Sequence, residues 1–257
     1  MAATVRLNPK YESIRAFVEK LPDDFDKKGS LVFQSRNCIR SFTTDGGVTL
    51  VVKHFKKLSL FRRILDTLFS HSKARRAFDA GMRFRALGFE SPEPVAYIDL
   101  RRCGVLSDCY FVSLPAEGVS LYPILVDTPR FDSALADKVA GLLASLHEAG
   151  VVHGDPNLNN ILYHAGDGGD VRLSLIDTNR SYFRRRLGMT ACLKNLKRVT
   201  HRRDLLRHIA GSYAARRGLD PVTTADRVLV YLDRFEKNRA FRHRIKALFK
   251  RKKNVGR

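Results

Sequence analysis

The sequence predicts an α+β fold of two lobes, a small antiparallel-sheet lobe followed by a mainly helical one. Three observations carry this. Runs of β-branched and aromatic residues crowd the first part of the chain, the connector Pro115-Ala116-Glu117-Gly118 interrupts them, and beyond it apolar residues recur at helical spacing. The lobes are accordingly drawn at residues 1–114 and 115–257. A chain of 257 residues, 44% hydrophobic and 28% charged, has the composition of a globular protein with a real core.

The elements follow in order. Leu31 to Phe42 and Val48 to Phe55 read as two strands of a hairpin, because Thr-Thr-Asp-Gly-Gly between them is turn chemistry. A basic, partly apolar stretch, Lys56 to Ser72, separates them from a helix over Lys73 to Leu87, which stops where Gly88 can take a left-handed cap. Ser91-Pro92-Glu93-Pro94 breaks that pattern, and Val95 to Leu100 and Cys109 to Leu114 are short strands. In the second lobe Leu135, Val139, Leu142, Leu143 and Leu146 place a core helix over Asp132 to Ala149, ended by Gly150. Two more strands, Ile161 to Tyr163 and Val171 to Ile176, flank a Gly- and Asp-rich turn. Helices then follow near Leu193 to Ala215 and from Thr224 to about Lys250.

The chemistry gathers around His153-Gly-Asp-Pro-Asn-Leu-Asn-Asn160-Ile-Leu. A carboxylate and an amide five positions apart, in an apolar frame, suit phosphoryl transfer, which needs a base for the acceptor hydroxyl and oxygen ligands for a hard cation. Asp155 is the candidate base. Asn160 and Asp177, the latter at the end of the apolar run Val171 to Ile176, are the candidate metal ligands, and Lys53 at the end of Val-Thr-Leu-Val-Val-Lys is the candidate phosphate contact. Asn157 either steadies the transferring phosphoryl group or holds the loop. His153 reads as a brace for the loop and His147 as the end of its helix.

Taken in order, Val-Lys53, the helix, Ser-Pro-Glu-Pro-Val-Ala-Tyr, Leu-His-Glu-Ala-Gly-Val-Val-His-Gly-Asp155-Pro-Asn-Leu-Asn-Asn160-Ile-Leu and Leu-Ile-Asp177 resemble the bacterial lipopolysaccharide kinase family, the Kdo and heptose kinases. That family is related to protein kinases and to aminoglycoside phosphotransferases. The resemblance covers roughly residues 30 to 185. It implies a protein-kinase-like fold, ATP as cosubstrate, Mg²⁺ as cofactor and a sugar hydroxyl of the lipid A core as acceptor. It assigns catalytic roles to Asp155 and Asn157, nucleotide binding to Lys53 and metal binding to Asn160 and Asp177. Departures are visible too. Pro156 replaces a Leu, Thr178-Asn179 stands where protein kinases have Phe-Gly, and no glycine-rich phosphate loop is present, Gly46 and Gly47 lying in a hairpin turn. The helix from Lys73 contains no Glu, so Asp79 is its acidic candidate for pairing with Lys53.

Charge distinguishes the last third. From Arg184 to Arg257 there are 23 Lys and Arg against 5 Asp and Glu, a net +18 within a total of +21. Such a field attracts phosphates on nucleic acid, anionic lipid or a phosphorylated glycolipid, and charge alone does not choose among them. Leu229, Leu232, Phe235, Phe241, Ile245, Leu248 and Phe249 interleave with basic residues as in an amphipathic helix, whose end from Phe241 is the expected membrane-facing piece. With a glycolipid acceptor, the anionic inner face of the inner membrane is the expected location and partner. An aminoglycoside-type enzyme would leave the basic third without purpose, and a degenerate kinase scaffold that binds nucleic acid is disfavoured because no binding motif accompanies the aromatics. Arg184-Arg185-Arg186 are a second candidate contact for acceptor phosphates. The four cysteines lack metal-ligand spacing and are expected to be reduced and mostly buried. No leader or spanning segment is expected in this cytoplasmic chain.

Overall fold

The computed structural model describes residues 2–35, 37–55, 71–165 and 170–255. The chain divides into two compact units, Met1–Val119 with Asn160–Tyr182, and Ser120–Asn159 with Phe183–Arg257.

The first unit is built on a six-stranded sheet of β1 (Ala2–Leu7), β2 (Ser30–Gln34), β3 (Asn37–Thr43), β4 (Thr49–Phe55), β5 (Pro94–Arg102) and β6 (Val105–Ser113), in the order β1-β5-β6-β4-β3-β2 with antiparallel neighbours. Strand alternation gives the sheet two apolar faces. Leu50 and Val52 of β4 join Val18, Leu21 and Phe25 from helix α1 (Arg15–Asp24) and its C-cap, whereas Phe55 joins Ala74 and Phe78 of helix α2 (Lys73–Ala86). Lys53 shares the parity of Phe55, and so points from the face that α2 covers. Helix α2 starts at Ser72, whose hydroxyl accepts from the Arg75 amide at 2.9 Å, and ends at Gly88, whose φ of +81° a residue with Cβ would resist.

Two readings change here. The run from Leu31 to Phe42 is two strands, folded at Ser35, because Gln34-Ser35-Arg36-Asn37 is polar turn chemistry inside an apolar stretch; the Ser35 amide donates to the Asn37 carbonyl at 2.9 Å. The first 30 residues, for which no element is predicted from the sequence, supply both the edge strand β1 and the covering helix α1. Residues 56–70 of the basic stretch lie outside the described residues. Cys38, Cys109 and Cys192 are buried, while Cys103 is exposed in the β5–β6 turn with φ +49° beside Gly104 at +76°. That pairing of left-handed residues is what a tight hairpin requires.

After the connector come β7 (Val119–Ser120) and, in the second unit, α3 (Leu121–Leu125), α4 (Ser133–Glu148) and β8 (Val151–Val152). The Asp132 carboxylate caps α4 by accepting from the Leu135 amide at 3.0 Å, and Leu135, Ala136, Val139, Ala140, Leu143 and Leu146 are its buried stripe. The hairpin of β9 (Ile161–Ala165) and β10 (Val171–Leu175) belongs to the first unit, where the Leu175 amide donates to the Glu90 carbonyl at 2.8 Å. The short strand β11 (Tyr182–Phe183) follows.

The second unit then closes with α5 (Met189–Leu196), α6 (Arg203–Arg216) and α7 (Pro221–Val255). The helical pattern near Leu193 to Ala215 is therefore two helices. Their break is held by Arg202, which donates to the carbonyls of Leu125, Val126, Thr128 and Pro129. On α7 the buried face is Ala225, Val228 and Leu232, with Leu229 and Phe235 half-buried, and Phe241 is 64% exposed. Among the described side chains the apolar stripe thus packs over the first part of the helix. The side chains of Ile245, Leu248 and Phe249 lie outside the described residues.

Candidate functional site

Each unit carries its own group of functional side chains. In the first, β4 delivers Lys53, and its ammonium donates to Asp177 Oδ1 at 2.8 Å while lying 5.3 Å from the centre of the Phe55 ring. Asp177 follows β10 at φ +59°, a left-handed conformation that costs a side-chain-bearing residue on the order of 1 kcal/mol and that Asp tolerates better than most. This kink turns the chain out of the hairpin into a short 3₁₀ turn, Thr178–Arg180. The side-chain Nδ2 of the buried Asn179 also donates to Asp177 Oδ1. Immediately before the kink, the Ile176 amide donates to the Asn160 carbonyl at 3.0 Å, so Asn160 and Asp177 sit at the same end of the β9–β10 hairpin.

In the second unit the loop after β8 holds Asp155. His153 is fully buried, its Nδ1 accepts from the Asp155 amide at 3.3 Å, and its carbonyl accepts from Asn195 Nδ2 at 2.7 Å. Asn195 Oδ1 lies 3.1 Å from His147 Nε2, and His147 Nδ1 lies 3.0 Å from the Tyr213 hydroxyl. A buried chain therefore runs from α6 through α4 and α5 to the loop. Burial pushes the His147 pKa down to about 4, so the ring is neutral at ordinary pH. Asp155 itself accepts from Asn157 Nδ2 at 3.2 Å, and Asn157 Oδ1 accepts from the Asn159 amide at 2.9 Å. The Leu158 amide donates to the Val199 carbonyl at 3.1 Å, and Arg198 Nη2 lies 3.7 Å from Asp155 Oδ1.

Of the five residues singled out from sequence, Lys53 and Asp177 are in direct contact, Asn160 is tied by its backbone to the residue before Asp177, and Asp155 and Asn157 are hydrogen-bonded to each other. Asp79 is not the partner of Lys53. It faces Arg6 at 3.4 Å and Arg75 at 3.5 Å, because its position on α2 points it toward β1. His147 is a buried hub of its unit and more than a helix end. Asn195, Asn179 and Arg198 carry no signal of a site in the sequence, since each stands among other polar residues of a helix or turn, beside Lys194, Thr178 and Lys197.

Among the described residues no group of three or more His, Cys, Asp or Glu could hold a metal. A donor set of one carboxylate and one amide oxygen fits Mg²⁺, which is held by few protein oxygens together with phosphates and water. It would not fit a metal that needs a closed protein cage.

A family model described as the lipopolysaccharide kinase (Kdo/WaaP) family matches residues 40–214. Among solved structures the chain is similar to WaaP in complex with acyl carrier protein, at 19% identity and a TM-score of 0.62, covering 91% of this chain and 98% of that one. It is also similar to the Rio2 kinase–ADP/Mg²⁺–phosphoaspartate complex from Chaetomium thermophilum, at 13% identity and a TM-score of 0.50, covering 86% and 75%. At such identities these likenesses speak for the fold, which is kinase-like. Curated protein sequences give no match.

Proposed function

The chain belongs to the lipopolysaccharide kinase (Kdo/WaaP) family, and from that premise we propose that it transfers the γ-phosphoryl group of ATP to a sugar hydroxyl, on Kdo or heptose, of the lipopolysaccharide inner core. The observation that carries this reading is the Lys53–Asp177 pair at 2.8 Å, with Asn160 at the same hairpin end. A cation and two oxygen donors are the equipment for a nucleotide's phosphates and their metal.

In this reading Asp155 accepts the proton of the attacking hydroxyl. Asn157 keeps the carboxylate aimed, His153 fixes the loop from beneath, and the neutral His147–Asn195 chain anchors it. Lys53 moves from Asp177 to the nucleotide phosphates when these arrive, leaving Asp177 and Asn160 to hold Mg²⁺. When bound, Mg²⁺ neutralises charge developing on the bridging and terminal phosphate oxygens. Thr178-Asn179, in place of a Phe-Gly switch, uses Asn179 as a fixed donor to Asp177, which suits a kinase without a regulated activation segment.

An acceptor on a glycolipid is met at a membrane. No described helix is long and apolar enough to cross one, and the basic end of α7, beginning at the exposed Phe241, is the element we assign to the anionic inner surface, as a peripheral contact. The deciding experiment gives labelled ATP and Mg²⁺ to the protein and to Asp155→Ala with Kdo-lipid A, heptosylated Kdo-lipid A or an aminoglycoside as acceptor. Mg²⁺-dependent label on a glycolipid, absent with the variant, is expected; equal label from both proteins removes Asp155 from its role.

A further inference from the structure

Next to Asp155 lies a group of cations that the proposed transfer does not use. Lys194, Lys197 and Arg198 occupy the last turn of α5 and the loop that follows it, and this segment is fixed to the catalytic loop at both ends, by Asn195 to the His153 carbonyl and by the Val199 carbonyl to the Leu158 amide. Their partners on α7 are aromatic faces. Lys194 lies 5.9 Å from the Tyr231 ring centre, and Lys197 and Arg198 lie 5.1 and 5.7 Å from that of Phe235.

The neighbouring carboxylates of α7 are directed elsewhere. Asp233 and Glu236 both receive Arg203, at 2.6 and 2.9 Å. A ring face positions a cation without cancelling its charge, whereas a carboxylate does both. The consequence is seen at Lys197, whose pKa is lowered by burial and then by Arg198 and Lys194, with no acidic group among the causes. Lys197 and Arg198, both half-buried, are thus held together with the exposed Lys194 on the segment whose Arg198 reaches the residue that receives the acceptor hydroxyl. Arg202, the next cation along, takes no part, being committed to Asp204 and to backbone carbonyls.

We propose that Lys194, Lys197 and Arg198 form an anion subsite for the acceptor, which recognises a carboxylate or phosphate carried close to the hydroxyl that is phosphorylated. This rests on the kinase reading of Asp155 and sharpens it: the acceptor is an anionic saccharide, and a polycationic aminoglycoside is repelled from the same place. Arg198, at 3.7 Å from Asp155 Oδ1, links this group to the reacting carboxylate, and the two lysines lie on the same segment.

The test is a comparison of acceptor KM and kcat for the wild type, Lys197→Gln, the double variant Lys194→Gln with Lys197→Gln, and Lys197→Arg. Acceptors are Kdo-lipid A, its carboxyl-reduced form, its dephosphorylated form and a form lacking both anions. With the intact acceptor, Lys197→Gln is expected to raise KM about tenfold with kcat within about twofold, and Lys197→Arg to restore it. The modified acceptors identify the anion, since the effect of the substitution disappears on whichever form lacks it. Unchanged KM in the double variant, or a defect of equal size on the acceptor lacking both anions, overturns the subsite. If the wild type labels none of these acceptors, the kinase reading for them fails and the subsite is judged by binding alone. Inorganic phosphate or free Kdo should then slow acetylation of Lys197 several-fold, and no protection overturns it.

Discussion

Lys53 and Asp177, 124 positions apart in sequence, are joined by a 2.8 Å ion pair in which the carboxylate is the one predicted as a metal ligand. The lysine takes its acid from the end of β10 and not from α2. Asp177→Asn is expected to lower kcat by about 10²–10³, the cost typical of losing one preorganised electrostatic contact, and to raise the Mg²⁺ needed for half-maximal activity. Steady-state kinetics across a magnesium titration would read both, and wild-type magnesium dependence would exclude Asp177 from the metal site.

Removing the base should separate chemistry from folding. Asp155→Asn keeps the volume and one acceptor for Asn157, so Tm should stay near wild type while kcat falls by about 10²–10⁴. A large drop in Tm with proportionate loss of activity would make Asp155 a structural residue instead.

The His147 hub predicts a pH dependence of stability. Its pKa is lowered from 6.5 to about 4 in the folded state, chiefly by burial, so the unfolded chain binds more protons between those values. The stability it contributes is fully present above pH 6.5 and is lost as pH falls toward 4, by about 3 kcal/mol in all. Urea unfolding between pH 7 and pH 4 should show this fall, and His147→Gln should flatten it. A curve with equal slope in both proteins would assign the effect to other groups.

Gly150 tests the join between α4 and β8. It sits at φ +74°, its carbonyl accepts from the Arg184 amide at 2.8 Å, and an added Cβ would collide with the Arg184 carbonyl. Gly150→Ala combines left-handed strain with a backbone clash, and should destabilise the protein by more than about 2 kcal/mol in urea titrations. A neutral substitution would show that the backbone here yields freely.

The end of α7 is expected to act only at membranes. Residues 241–257 hold eight Lys and Arg, each contributing about 1 kcal/mol when brought to an anionic surface. Truncation after Ala240 should abolish flotation with anionic vesicles and leave Tm unchanged, because Ala225, Val228 and Leu232 provide the packed face. Unaltered flotation would move the membrane contact elsewhere.

The sequence by itself determined the local chemistry and the elements with strong periods. The spacing of Asp155, Asn160 and Asp177, the β4 strand carrying Lys53, the α4 stripe and the glycine stops at Gly88 and Gly150 are all set by neighbours in the chain, where turn propensity and side-chain alternation act. The sequence leaves β1, α1 and the fold at Ser35 undetermined: an edge strand is stabilised by a partner from a distant segment, Pro22 interrupts the helical pattern of α1, and a short polar turn interrupts one apolar run. Only the tertiary structure decided partnerships. It gave Lys53 to Asp177 and turned Asp79 toward Arg6, made His147 the hub of a buried chain ending at the His153 carbonyl, and brought Arg198, on the segment shared with Lys194 and Lys197, to Asp155. Contacts of this kind depend on which faces pack together, and the chain specifies packing through its whole core rather than through any motif.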